Sequence, residues 1–247
     1  STTFAVAART DRIARPETLC FNQGHQSNNG ERIGGPVCSP RPVGTTLSET
    51  IPSRNTIDLS PPAVAGLRTT GRVAGARWCP SPNFGNRPEG AAISLLVVHN
   101  ISLPPGQFGG DAIERFFCNQ LSPSEHPYFE TIADMKVSSH LLIRRDGECL
   151  QFVSLLERAW HAGRSCFQGL EECNDYSIGI ELEGADDIPY TAAQYEVLAD
   201  VSALIMKSWP AITPERITGH SDIAPGRKTD PGPAFDWPRY RQLLGTG

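Results

Sequence analysis

Two periods of apolar and polar positions organise the chain from about residue 71 onward. Residues 92–99 read Ala-Ile-Ser-Leu-Leu-Val-Val-His, a nearly unbroken apolar run that predicts a strand covered on both faces. Pro104-Pro105-Gly106 and Gly109-Gly110 then mark a loop, and Asp111 is placed to cap a short helix bearing Ile113, Phe116 and Phe117. Residues 137–145 predict a strand, Asp146-Gly147 a tight turn, and residues 149–153 the returning strand. Residues 177–183 alternate with period two: Ile178, Ile180 and Leu182 share one face, Gly179, Glu181 and Glu183 the other. The period then lengthens. Thr191 with Gln194 forms a capping box, and Tyr195, Leu198, Val201 and Ile205 give the following helix its buried stripe, bounded by Pro210. A last helix is expected from Asp236, with Trp237, Tyr240 and Leu244 turned inward. Interleaved strands and helices predict an α/β class: a single domain with a central mixed β-sheet flanked by helices.

The first 65 residues lack these patterns. Of the 19 aromatic residues in the chain only Phe4 and Phe21 fall there, and Asn, Ser, Thr, Gly and Pro dominate. Such a stretch has too little apolar area to offset its ordering entropy, so residues 1–65 are expected to be a disordered N-terminal tail and 66–247 the folded domain. The chain carries 22 basic and 27 acidic residues, a net charge of −5, which excludes a general nucleic-acid binder relying on a basic surface. No apolar run approaches the ~20 residues that span a bilayer, and the opening residues lack a signal-peptide pattern. None of the seven cysteines forms a CxxC pair, which argues against a cysteine-based zinc knuckle.

Three polar signals carry candidate chemistry. His99 ends the apolar strand just before a Pro/Gly loop, where strand C-termini commonly build sites. His220 and Asp230 lie ten positions apart in the loop from Gly219 through Gly232, held by Pro225, Gly226 and Pro231 rather than by a helix. Two imidazoles and a carboxylate with an open fourth position are a ligand set of catalytic zinc. Glu181 projects from its strand opposite the apolar face, where a buried carboxylate is costly unless it is used, and a general base would use it. Lys228, two residues before Asp230, would place a cation beside the site to stabilise an oxyanion. Each residue also has a plainer reading: His99 as a hydrogen-bonded core histidine, Asp230 as a turn residue before proline, Lys228 as an exposed loop lysine. Asp222, so close to His220, is read as a capping acid, and Glu183, next to Gly184, as solvent-facing.

Four ordered blocks bring these residues together: 98–106 (VHNISLPPG), 159–163 (AWHAG), 178–184 (IGIELEG) and 219–232 (GHSDIAPGRKTDPG). From about Gly71 to Leu244 the chain resembles the 1,6-anhydro-N-acetylmuramyl-L-alanine amidases within the amidase-2 and peptidoglycan-recognition-protein superfamily. The resemblance implies a zinc enzyme (Zn2+ held by His99, His220 and Asp230) that cuts the lactyl–L-alanine amide of anhydro-muropeptides, with Glu181 and Lys228 as its catalytic residues. It implies a cytoplasmic monomer whose partner is the muropeptide rather than nucleic acid or membrane. Asn100, Tyr128, Lys136 and Trp160 match substrate-pocket positions. The family pattern carries arginines at the positions of Lys136 and Glu172; lysine keeps the charge without the bidentate fork, and Glu172 reverses it. His126 and His140 read as structural, and His161 as either lining the pocket or packing beside Trp160. A non-catalytic muropeptide-binding module and an amidase of intact peptidoglycan are the alternatives.

Overall fold

A computed structural model of the chain describes residues 57–245. Its strands are β1 (Arg77–Trp78), β2 (Phe84–Gly85), β3 (Leu95–Ile101), β4 (Leu141–Ile143), β5 (Cys149–Gln151), β6 (Arg158–Ala159), β7 (Cys166–Phe167), β8 (Leu170–Glu171), β9 (Ser177–Glu183) and β10 (Ile217–Gly219). Six of them form one mixed sheet in the order β1-β5-β4-β9-β3-β10, with β3 parallel to both β9 and β10. The expected central mixed sheet is therefore present, and the apolar run at 92–99 supplies β3, whose first five residues are buried.

Side-chain alternation assigns the two faces. Leu96 and Val98 of β3, with Ile178, Ile180 and Leu182 of β9, join the larger core beneath three helices: α1 (Pro61–Thr70), α4 (Ala192–Ser208) and α6 (Trp237–Leu244). Leu95 and Val97 face the opposite side, where α2 (Ala112–Phe117), α3 (Pro127–Ile132) and the short α5 (His220–Ile223) lie among smaller clusters. Helix α4 follows the expected pattern: Thr191 accepts from the Gln194 N–H in a full capping box, and Leu198, Val201 and Ile205 are completely buried. Each such side chain contributes about 1.5–3 kcal/mol by leaving water. Asp236 caps α6, and the Tyr240 hydroxyl donates to Ser202 Oγ of α4 at 2.7 Å.

Three expectations are revised by the structure. The boundary placed at residue 65 falls inside α1, and Ile57 and Leu67 both belong to the main core. Ser60-Pro61-Pro62 is a helix start, with Ser60 accepting from the Ala63 N–H and proline in the first turn. The part of the expected tail before Ile57 lies outside the described residues. The strand expected over 137–145 is reduced to Leu141–Ile143, because the chain before it is held by side chains: Ser138 Oγ donates to Asn83 O, and His140 Nδ1 accepts from the Gly179 N–H. Glu183 is not solvent-facing; it is 2% exposed and takes Arg144 as a buried ion-pair partner at 3.3 Å. Its carboxylate also accepts from the Gly109 and Arg145 N–H groups, tying the loop after β3 to the β4–β5 turn.

Candidate active site

The centre of the site follows from strand register. His99 and Glu181 are direct partners in the parallel pair β3–β9, so both project from the same face near the C-terminal ends of their strands. His220 is the first residue of α5, immediately after β10 on the other side of β3. Asp222 caps that helix by accepting from the Gly219 N–H and the Thr218 hydroxyl, in keeping with its capping role. The loop then turns back, and Asp230 is fixed by its own carbonyl accepting from the Ser221 N–H.

Three polar atoms converge at this point. His99 Nδ1 lies 2.9 Å from His220 Nδ1, and Asp230 Oδ2 lies 3.0 Å from each. Among the described residues these three side chains form a candidate metal-holding group. The donor chemistry fits a cation. His220 Nε2 lies 3.1 Å from the Ala162 carbonyl, which only accepts, so Nε2 carries a proton and Nδ1 is the ring atom offered toward Asp230. Two acceptors facing one another at this distance repel unless a positive charge sits between them. The spacing suits one ion about 2.0–2.1 Å from each donor.

The surrounding groups are shifted in ways that match. Burial first, then the neighbouring His220, lowers His99 to about 4, so the ring is neutral and available as a ligand at pH 7. Burial alone would raise Asp230, but its hydrogen bonds to His220 and His99 together with its charge interactions with both rings hold it well below the usual carboxylate range. Glu181 is pushed well above it, by burial first and by Asp230 second, while Lys228 opposes the shift. The Glu181 Oε2 atom is buried without a hydrogen-bond partner. Lys228 is half-buried and near enough to act electrostatically on both Glu181 and His99. His99, His220, Asp230, Glu181 and Lys228 are therefore brought together.

The four substrate-pocket candidates are placed less uniformly. Trp160 is half-buried and immediately precedes His161, whose ring contacts His99. Asn100 is engaged inside the protein, donating to Asp186 Oδ1 at 2.8 Å and to Pro231 O at 3.2 Å, so it steadies the turn that follows Asp230. Tyr128 and Lys136 are exposed, on α3 and just after it, and neither is hydrogen-bonded to the triad. Glu172 is also exposed and pairs with Arg158 at 3.5 Å. His126 caps α3 and His140 is buried between the Gly179 N–H and the Glu157 carbonyl, both structural as expected. The residue that sequence reasoning underrated is His161: its Nδ1 lies 2.9 Å from His99 Nε2, behind the site. Its signal was Gly179, a strand glycine between Ser177 and Glu181 on the site face, which leaves the ring its room.

The family described as N-acetylmuramoyl-L-alanine amidase (Amidase_2) matches residues 89–233. The 1,6-anhydro-N-acetylmuramyl-L-alanine amidase AmpD of Escherichia coli K12 is 56% identical over 178 residues, covering 72% of this chain and 97% of that protein. AmpD of Haemophilus influenzae is 54% identical over 170 residues, covering 69% and 92%. A crystal structure of a selenomethionine derivative of AmpD superposes with a TM-score of 0.69 at 56% identity, covering 70% of this chain and 97% of that one. The chain belongs to the amidase-2 family of N-acetylmuramoyl-L-alanine amidases.

Proposed function

We propose that this chain is a zinc amidase that hydrolyses the lactyl–L-alanine amide of 1,6-anhydro-N-acetylmuramyl peptides, acting as a cytoplasmic monomer in cell-wall recycling. The convergence of His99 Nδ1, His220 Nδ1 and Asp230 Oδ2 within 3.0 Å, beside the unpartnered Glu181 carboxyl, carries the reading. Relatives 54–57% identical to this chain, matched over 92–97% of their own length, are themselves 1,6-anhydro-N-acetylmuramyl-L-alanine amidases. Among the described residues no helix is long and apolar enough to cross a membrane.

His99, His220 and Asp230 would hold the zinc, which supplies a Lewis acid for the scissile carbonyl and lowers the pKa of its water to about 7. Glu181 takes the proton of the attacking water. Burial raises its affinity for that proton, the charge of a bound metal would keep the carboxyl ionised beforehand, and no hydrogen bond to Oε2 has to break first. As the lactyl carbonyl becomes tetrahedral, Lys228 shares the negative charge on its oxygen. Glu181 then returns the proton to the departing L-alanine nitrogen, so one carboxyl serves as base and acid in turn. Trp160 and the exposed Tyr128 and Lys136 are assigned to sugar and peptide contacts, with the Lys136 charge meeting a stem-peptide carboxylate. Asn100 contributes by steadying the Asp230 turn.

Incubating the protein with soluble anhydro-muropeptide and, separately, with insoluble sacculi tests the reading by mass spectrometry. Release of a peptide with a free L-alanine N-terminus, far faster from the soluble substrate, is expected. Absence of cleavage in the zinc-supplied protein, or a preference for sacculi, would overturn it.

A further inference from the structure

The two histidines of the triad are supported by one short segment, but not in the same way. His220 Nε2 donates to the Ala162 carbonyl, which fixes its tautomer without choice. His99 Nε2 meets a second imidazole instead, His161 Nδ1 at 2.9 Å, and His161 Nε2 lies 3.1 Å from Ser177 Oγ. The His161 ring is buried and held edge-on to His99, with centroids 5.0 Å apart. Its backbone is pinned as well: the His161 and Ala162 N–H groups both donate to Asn174 Oδ1, at 3.1 and 2.8 Å. A Cβ at position 179 would come within 2.5 Å of the ring, so Gly179 is the space that admits it.

We infer that His161 is a positioning residue that sets the tautomer of His99 and thereby its readiness to bind metal. This rests on the zinc reading above. When His99 offers Nδ1 as a ligand, its proton is on Nε2 and donates to His161 Nδ1; the His161 proton is then on Nε2 and donates to Ser177 Oγ. The chain has a second state with the same number of protons. Ser177 donates to His161 Nε2, His161 Nδ1–H donates to His99 Nε2, and His99 Nδ1–H donates to Asp230 Oδ2 at 3.0 Å. That state satisfies the metal-free site and blocks it; metal entry requires the His99 Nδ1 proton to leave past Asp230 to solvent, His161 to pass its Nδ1 proton to His99 Nε2, Ser177 to pass its proton to His161 Nε2, and the serine to regain one from solvent. A neutral imidazole accepts the ligand's proton here without adding a second negative charge behind the centre.

The test combines zinc affinity, measured by competition with a chelator, and histidine tautomers, read from nitrogen NMR of the full chain. In the zinc-loaded wild type, His161 is expected to carry its proton on Nε2. His161→Phe keeps the ring volume but removes the acceptor, and should weaken zinc binding about 10- to 100-fold. His161→Asn, whose amide oxygen can sit near the Nδ1 position, should recover most of that loss; a purely space-filling role predicts the reverse ranking. If His161→Phe does not fold, Ser177→Ala serves: a loss of under tenfold, with mixed His161 tautomers in the metal-free protein, is expected. Wild-type zinc affinity in His161→Phe, an unchanged affinity and single tautomer in Ser177→Ala, or a zinc-loaded His161 protonated on Nδ1, would overturn the inference while leaving the zinc reading intact. A wild type that binds no zinc would sink the zinc reading, and the inference with it.

Discussion

Replacing Glu181 by glutamine should produce two opposite effects in one protein. The amide keeps the shape of the carboxyl but cannot take a proton from water. Loss of a positioned general base costs about 10²- to 10⁴-fold in rate, or roughly 3–5 kcal/mol of transition-state stabilisation at about 1.4 kcal/mol per decade. Stability should move the other way. Glu181 is 8% exposed, its Oε2 has no partner, and its folded pKa lies well above the ordinary 4.5 through burial and Asp230. The folded chain therefore retains this proton in a pH window above 4.5 where the unfolded chain has released it, and stability declines as pH rises through that window. Glutamine removes the decline. Thermal melts of metal-free Glu181→Gln and wild type should nearly coincide around pH 4 and separate in favour of the variant at pH 7 to 8. Each 1 kcal/mol gained raises the melting temperature by about 2–4 °C for a domain of this size. Activity within tenfold of wild type, or a variant less stable at pH 8 than at pH 4 relative to wild type, would refute the assignment.

Three further outcomes follow from the same structure. Lys228→Ala should lower kcat about 10²- to 10³-fold while zinc content stays normal, since the lysine meets charge that develops in the transition state; steady-state kinetics with metal analysis checks it. His140 is buried and neutral, lowered to about 3 by burial and by Arg87. Below pH 6.5 the unfolded chain gains a proton that the folded chain refuses, so metal-free protein should lose about 2 kcal/mol from this group between pH 6.5 and 5, and urea melts of wild type and His140→Asn should show the variant with the shallower slope. A chain beginning at Gly66 should be less stable than one beginning at Ile57, because it loses the Ser60 cap, worth about 1 kcal/mol, and the first half of α1; paired thermal melts measure the difference.

Much of this architecture was legible because it depends on local periodicity. Strand β9 occupies the residues its alternation marks, and α4 begins at its capping box and buries its predicted stripe. The triad was legible because His99 terminates an apolar run and Pro and Gly punctuate the chain between His220 and Asp230; that His220 itself opens a short helix, α5, was not expected. What stayed hidden depends on partners distant in sequence. Residues 137 and 138 have strand-like composition, yet the Val137 carbonyl accepts from the Asn83 side-chain amide and Ser138 Oγ donates to the Asn83 carbonyl, contacts that lie outside the sheet ladder. Glu183 reads as exposed until Arg144, 39 residues away, arrives to pair with it. His161 is an ordinary aromatic-flanked histidine until the fold sets it 2.9 Å from His99. The start of the domain was misjudged for a different reason: Ser60-Pro61-Pro62 has the composition of a linker and the grammar of a helix N-terminus.

The zinc centre is the claim on which the catalytic account depends, and equilibrium dialysis of the full chain against zinc addresses it directly. About one ion per chain is predicted, lost in His99→Ala, His220→Ala and Asp230→Ala alike, with amidase activity abolished by a chelator and restored by zinc. A chelated protein that holds no metal and still cleaves anhydro-muropeptide at the full rate would contradict it.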